Sequence, residues 1–378
     1  MSKSKKKTSY LYIVVFLILM VVSYFWDPSA EVVPPTPAPP TAEVAGVSTT
    51  APSGGEWYQL YFTSPVIPFD GVLTGGIENK LIEKIDSAQK SIYLAVFEFD
   101  LENVALALIA AKDRGVDVKV VYDNEYSDPD KQIRELKAAG IQAIPDERST
   151  SMHNKFFVFD GECVWTGSFN ITENAAYRNN ENAFHFCSPE AAANYTVEFK
   201  ELFSGQFGPT SPADTPYPIF TVNGIEVEIY FAPEDNVMAE IISEVQEASS
   251  SVHFYAFSFT SNPLGDAVLE RLGSGVEVAG IFEVRGADTE ASECRRLLQN
   301  NANVTLDGNP KVLHHKVMII DRKTVIFGSF NFSNNADEGN DENTIIVHDP
   351  VLAEAFEQEF LRLKSISQLP KGNTCKTK

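Results

Sequence analysis

Apolar residues recur along this chain in two rhythms, and the order of the rhythms is the same twice over. Across residues 78–88, Leu81, Ile82 and Ile85 fall at helical spacing, which predicts an amphipathic helix. A run rich in aliphatic and aromatic residues at 92–99 predicts a strand, followed by a helix at 101–114, a strand at 116–122, a helix at 131–139 and a short strand near Ile141. Strands at 153–159 and 163–167 flank an Asp160-Gly161 turn, a further strand begins at Glu181, and a helix at 191–202 closes the unit. The proline-rich stretch 207–223 has no periodicity and marks a boundary. The scheme then returns as helix 237–248, strand 252–259, helix 264–272, strand 276–282, helix 290–299, strands over 314–316 and 324–328, and helix 352–363. Alternation of this kind predicts an α/β fold of two units, each a mixed, largely parallel sheet flanked by helices.

The polar residues repeat more strictly than the apolar ones. His153, Lys155, Asp160, Gly167, Ser168, Asn170, Glu181 and Asn182 are matched by His314, Lys316, Asp321, Gly328, Ser329, Asn331, Glu342 and Asn343, all displaced equally (314 − 153 = 161). Ala256 answers Ala95 at the same offset, the correspondence slips by one between Gly115 and Gly275, and it is restored before the histidines. On a strand His153 and Lys155 share a face, so both reach one ligand. Each unit supplies one histidine of the set, which places the site where the two units meet across a pseudo-twofold axis.

Histidine, lysine and asparagine in duplicate suit a single phosphodiester. One imidazole attacks phosphorus, another protonates the leaving alcohol, and lysines and amides hold the non-bridging oxygens. The pattern His-x-Lys-x-x-x-x-Asp followed by Gly-Ser-x-Asn, present twice, resembles the phospholipase D superfamily, over both halves from about Ile77 to Leu361. The resemblance implies that His153 is the nucleophile of a phosphohistidine intermediate and His314 the acid. Lys155 and Lys316 join them as catalytic residues, and Asn170, Asn331, Ser168 and Ser329 bind phosphate. Glu181 and Glu342 each follow a histidine by 28 residues (181 − 153 = 342 − 314 = 28) and are placed to hold an imidazole N–H. Asp160 and Asp321, at strand-to-turn corners, and Gly167 and Gly328, which permit close backbone approach, read as structural members of the motif. His185, His253, His315 and His348 have no counterpart in the repeat and read as structural. No Gly-rich nucleotide loop and no acidic cluster with metal-ligand spacing is visible, so the sequence implies no cofactor and no metal.

The ends of the chain change the picture of where this chemistry happens. Lys3, Lys5, Lys6 and Lys7 precede an apolar run at 10–26, which predicts a single-pass anchor with the body on the extracytoplasmic side. Cleavage near Pro28-Ser29-Ala30 and secretion is the alternative. The domain reading is a lysine-rich tail at 1–7, an anchor at 8–27, a Pro-rich tether at 28–56, a first unit at 57–206, a linker at 207–223, a second unit at 224–365 and a tail at 366–378. The net charge is −22, and without the four leading lysines the remainder of the chain carries −26 (−22 − 4 = −26). Such a body repels polyanions, which argues against nucleic acid and for phospholipid as the partner. The expected function is therefore a phospholipase D-type phosphodiesterase acting on membrane phospholipid, by hydrolysis or transfer. An exported metal-independent nuclease and a cardiolipin synthase-like phosphatidyltransferase are the alternatives, and oligomeric state stays open. Among four cysteines, Cys163 and Cys187 on neighbouring strands are the best candidates for a disulfide, with free buried thiols equally open.

Overall fold

The structure is a computed structural model that describes residues 57–127 and 130–377, with a strand at 47–50; the predicted anchor and most of the tether lie outside the described residues. Among the described residues no helix is long and apolar enough to cross a membrane.

The first half runs β1 (Val47–Thr50), β2 (Tyr58–Thr63), α1 (Glu78–Ser87), β3 (Ser91–Val96), α2 (Glu102–Asp113), β4 (Asp117–Tyr122), α3 (Lys131–Ala138), β5 (Gln142–Pro145), β6 (Lys155–Phe159), β7 (Cys163–Gly167), α4 (Glu173–Tyr177), β8 (Asn179–Asn180), β9 (Asn182–Cys187) and α5 (Pro189–Phe203). The second half answers with β10 (Ile219–Val222), β11 (Ile225–Ala232), α6 (Val237–Glu247), β12 (Ser251–Ala256), α7 (Asn262–Gly273), β13 (Glu277–Phe282), α8 (Cys294–Gln299), β14 (Asn303–Leu306), β15 (Val312–Leu313), β16 (Lys316–Ile320), β17 (Thr324–Gly328), α9 (Asn334–Glu338), β18 (Glu342–Val347) and α10 (Pro350–Ile366). Each half builds one eight-stranded sheet, in the orders β1-β2-β9-β7-β6-β3-β4-β5 and β10-β11-β18-β17-β16-β12-β13-β14.

The α/β class and the mixed sheets agree with the sequence reading, but the sheets are not largely parallel. Only β3–β4–β5 and β12–β13–β14 pair in parallel, and all other neighbours in the two sheets are antiparallel. The βαβ alternation ends at β5; from there the chain crosses back over β4 and β3 to β6, which turns through a tight hairpin into β7, and β9 returns antiparallel to β7 after a connection that contains α4 and β8. The alanine pairing is corrected as well. Ala95 lies opposite Phe156, and it is Tyr255, not Ala256, that lies opposite the equivalent Val317. The halves are therefore offset by 160 from β3 to Gly115 and by 161 from β5 onward, and the extra residue sits in the connection from β13 to β14.

A central core joins the two sheets, with residues of β2, β6, β7 and β9 packed against those of β11, β16, β17 and β18 and with α5 and α10. Across the boundary Phe184 meets Phe327 and Phe62 meets Phe356 edge-on, each at 5.2 Å between ring centres. Truncating one of these rings to alanine costs about 3–5 kcal/mol. Separate outer cores lie beneath α1–α3 and α6–α8. Cys163–Cys187 forms a disulfide as anticipated, and so does Cys294–Cys375, which ties the C-terminal tail to α8. One difference in length stands out. The connection from β2 to α1 takes 14 residues (77 − 63 = 14), and the equivalent from β11 to α6 takes four (236 − 232 = 4).

Candidate active site

β6 and β16, with the residues just before them, bring the two motifs together. The backbone N–H of His153 donates to Asp341 O and that of His314 to Asn180 O, so each histidine is stitched to the other half at symmetry-related points. Short pairing of Val312–Leu313 with Asn179–Asn180 continues the seam. His153 sits two residues ahead of the strand that begins at Lys155, rather than inside it.

The glutamates cross over. His153 Nδ1 lies 2.7 Å from Glu342 Oε2, and His314 Nδ1 lies 2.9 Å from Glu181 Oε2. Each carboxylate thus serves the histidine of the opposite half. Both glutamates are fully buried; burial alone would raise their pKa, but the adjoining imidazole and serine hydroxyl outweigh it and hold it below the usual value. Burial in turn pushes both imidazoles down to about 4, against the pull of the partner carboxylate. With Nδ1 engaged, Nε2 of each ring is the nitrogen left for a phosphorus atom or a proton.

The two lysines stand between these pairs. Lys155 Nζ donates to His153 O, and Lys316 Nζ donates to His314 O at 2.6 Å. Their ammonium groups lie over Phe97 and Phe257 at 4.9 and 5.0 Å, and the same rings meet the imidazoles edge-on. Burial lowers Lys155 to about 8 and Lys316 to about 7, although Glu342, Glu98 and Glu181 all favour the charged forms. Two buried lysines beside two neutral imidazoles make a setting suited to an anion.

The serines do something other than the sequence reading assigned. Ser168 Oγ donates to Glu181 and Ser329 Oγ to Glu342, both at 2.7 Å, while each hydroxyl accepts the N–H of Asn182 or Asn343. They are fully buried, so these hydroxyls orient the glutamates and are not free for phosphate. Asn170 donates to Glu98 Oε2 at 2.7 Å, whereas the second half has Ser258 where the first has Glu98. Asn170 Oδ1 and Asn331 Oδ1 are both buried without a hydrogen-bond partner in the protein. Asp160 and Asp321 sit at the opposite ends of their strands from the histidines, where they accept the N–H groups of residues 89–91 and 249–251. Gly167 and Gly328 have φ of 139° and 151°, and a Cβ there would stand 2.5 and 2.3 Å from the carbonyls of Asn182 and Asn343. No side chain fits.

Sequence reasoning placed the unrepeated histidines outside the chemistry, and each has its own setting. His253 pairs with Glu357 and stacks on Phe360, His348 pairs with Glu228, and His315 lies against Glu359. His185, lowered to about 3 by burial, lies beside the Cys163–Cys187 bridge. His315 also accepts from Asn182 Nδ2, as Asn154 accepts from Asn343 Nδ2, so the motif's last asparagines cross-link the halves. An acidic cluster was missed. Glu198 and Glu201 on α5 and Glu234 after β11 bring carboxylate oxygens within 4.8 Å of one another, and Asn154, the residue after His153, donates its Nδ2 to Glu198 Oε1 at 3.0 Å. Burial, with neighbouring carboxylates, pushes Glu201 up to about 9 and Glu234 to about 7, so these groups hold protons among themselves. Nothing local in the sequence joins elements this far apart.

Comparison with known proteins bears on this arrangement. A profile of the family described as "Cardiolipin synthase, PLD-like domain" matches residues 81–203 and 241–364, once in each half. A phospholipase D of Rickettsia prowazekii is 30% identical over 151 residues, 40% of this chain and 74% of that protein. A mitochondrial cardiolipin hydrolase of Xenopus laevis is 34% identical over 157 residues, 38% of this chain and 75% of that protein. The crystal structure of a phosphatidylserine synthase from Haemophilus influenzae shares the fold, with a TM-score of 0.64 over 86% of this chain and 90% of that one at 15% identity. With two matched segments, two crossed histidine–glutamate pairs and a buried lysine pair between them, the chain belongs to the phospholipase D-like family and is a phosphodiesterase.

Proposed function

We propose that this phosphodiesterase cleaves membrane phospholipid through a covalent phosphohistidine, from a body tethered to the membrane by residues 8–27. His153 Nε2 attacks phosphorus, the bond from phosphorus to the headgroup oxygen breaks, and His314 gives its Nε2 proton to the departing alkoxide. Water or another alcohol then loses its proton to His314 and attacks the same phosphorus, which releases His153. Glu342 and Glu181 fix the tautomers and stabilise whichever ring is charged. Lys155, Lys316 and Asn331 hold the non-bridging oxygens as charge grows on them, and an anionic phosphate in the pocket raises the depressed pKa of His314 toward the range a proton donor needs.

The observation that carries the mechanism is the crossed pairing of His153 with Glu342 and His314 with Glu181 around two buried lysines. The choice of lipid is supported by the apolar run at 10–26, by a charge of −26 over the chain beyond its leading lysines, and by relatives named phospholipase D and cardiolipin hydrolase. Incubating the full chain with mixed phospholipid vesicles, plasmid DNA and bis-p-nitrophenyl phosphate tests it, in excess EDTA and at low salt where charge repulsion is least screened. Headgroup release faster than DNA cleavage is expected. DNA degradation without headgroup release would replace this reading with a nuclease, and loss of turnover in EDTA restored by a divalent metal would overturn the mechanism.

A further inference from the structure

We propose that the stretch 66–75, between β2 and α1, is an interfacial loop that enters the headgroup layer of a zwitterionic phospholipid bilayer and seats the mouth of the site on the lipid surface. The proposal rests on the lipid reading above. It starts from the difference in length between the halves, where 14 residues in one stand against four in the other.

Every residue from 66 to 75 is exposed, and five of them are large and apolar. Val66, Ile67, Phe69, Val72 and Leu73 are between 38% and 46% exposed. The one charged residue of the stretch, Asp70, turns its carboxylate back onto the N–H of Val72 at 2.9 Å. Single exposed apolar residues need no explanation, but five within eight positions form a patch that water disfavours.

Both ends of the loop are fastened beside the site. Thr63, at its root, donates its N–H to Glu181 O, and its hydroxyl accepts the N–H of Glu181 at 2.7 Å and donates to Asn179 O at 2.7 Å. Glu181 is the carboxylate that holds His314. At the far end Glu78 accepts from Tyr177 at 2.5 Å, and in between the guanidinium of Arg178, itself paired with Glu173, lies 4.5 Å over the ring of Phe69. The apolar patch therefore stands over the segment 177–181 that leads into the pocket, with a cation at its base.

The occupant follows from charge and reach. Both catalytic histidines are buried, so a lipid phosphate must be brought down into the pocket, which requires the mouth to lie at the headgroup layer. From residue 57 onward the chain carries −22 (−26 + 4, leaving out Asp27, Glu31, Glu43 and Glu56) and gains nothing by electrostatic adhesion, whereas insertion of apolar side chains into a neutral bilayer needs no charge. Between Trp26 and the start of β1 lie 20 residues (47 − 26 − 1 = 20), and a Pro-rich tether of that length spans at most about 60 Å at ~3.1 Å per residue, so an anchor at 10–26 would keep this loop within range of the same bilayer.

The test uses the full chain on phosphatidylcholine vesicles. The triple variant Val66→Asp, Val72→Asp, Leu73→Asp is expected to release choline at least tenfold more slowly while turning over bis-p-nitrophenyl phosphate within twofold of the unsubstituted chain, which shows that fold and pocket are intact. In parallel, Phe69→Trp is expected to give fluorescence that vesicles brominated high on the acyl chain quench beyond the background of Trp26, Trp57 and Trp165. Unchanged choline release in the triple variant, or an unquenched Trp at 69, overturns the loop. If the unsubstituted chain turns over bis-p-nitrophenyl phosphate but releases no choline, the lipid reading fails instead, and quenching at 69 alone then decides whether the loop meets the bilayer.

Discussion

In the first half, β2 ends at Thr63 and fourteen largely exposed residues pass before the next helix; in the second, β11 ends at Ala232 and four suffice. Around the histidines the same halves are nearly superposable in their bonding, down to the serine that supports each glutamate and the asparagine that supports each serine. The contrast has a physical reason. A residue at the axis is bonded to the other half, so a change in Glu181 is felt by His314 and a change in Glu342 by His153. A loop such as 66–75 answers to its own half alone and is free to differ. Glu98 and Ser258 mark the transition, since they flank equivalent asparagines but carry different charge.

The comparison breaks most readily at the histidines. His153→Ala and His314→Ala are each expected to lower turnover of the full chain at least a hundredfold, which steady-state assays on bis-p-nitrophenyl phosphate can read. If either variant keeps more than about a hundredth of the activity, the two histidines are not the acid and nucleophile. His314→Asn should in addition accumulate a phosphorylated His153, visible in the mass of quenched protein. An adduct on His314 would exchange the roles.

Next come the glutamates, whose crossing can be tested directly. Glu342→Gln and Glu181→Gln remove the partner of an imidazole proposed to do the chemistry and are expected to cost at least about tenfold, because the carboxylate holds the ring in the tautomer that the reaction uses. Nitrogen NMR of the imidazoles should show Glu342→Gln altering His153 and leaving His314 alone, with the reverse for Glu181→Gln. A response in the histidine of the same half would contradict the crossing.

Smaller again is the pH dependence. Burial lowers Lys316 to about 7 and Lys155 to about 8, and only the protonated lysine attracts phosphate. Since deprotonation removes that attraction as pH rises, kcat/KM of the free enzyme should fall above about pH 7, roughly tenfold per unit once one lysine titrates. A profile flat from pH 7 to 9 would show that the lysines keep their charge.

The smallest effect separates structure from chemistry. Asp160→Asn and Asp321→Asn remove a carboxylate that caps three backbone N–H groups, and each is expected to lower stability by about 1–3 kcal/mol in urea unfolding while turnover stays within twofold. Asp321 also accepts the hydroxyls of Ser249 and Ser250, so its loss should cost more than that of Asp160. Both carboxylates are held below their ordinary pKa by those donors despite partial burial, so their contribution is present at neutral pH and fades as pH falls through the folded-state value.

Much of this site was legible because polar residues carry register. Histidine, lysine and asparagine at one spacing, twice, locate β6 and β16 and the meeting of the halves without any structure. Apolar strands carry far less, and the match of Ala95 with Ala256 failed because alanine is interchangeable with its neighbours in a buried strand, where a slip of one residue turns every side chain over. β2 and β11 went unread as strands, and the parallel reading of the sheet extended a true βαβ beginning past β5, where the crossing back over β3 leaves no local trace. The spacing of 28 from histidine to glutamate fits a partner in either half equally, so the crossing needed coordinates. Cys294–Cys375 was hidden for a similar reason, since 81 residues separate its ends.

The crossed pairs also bear on what counts as a complete gene. A fragment encoding one half carries a histidine without its carboxylate and a carboxylate without its histidine. Two copies of that fragment, turned about a true axis, would lend each other what each lacks. The fused chain makes the loan permanent, and with both halves always present, each can afterwards acquire features, such as a long apolar loop, that a symmetric pair would be obliged to display twice.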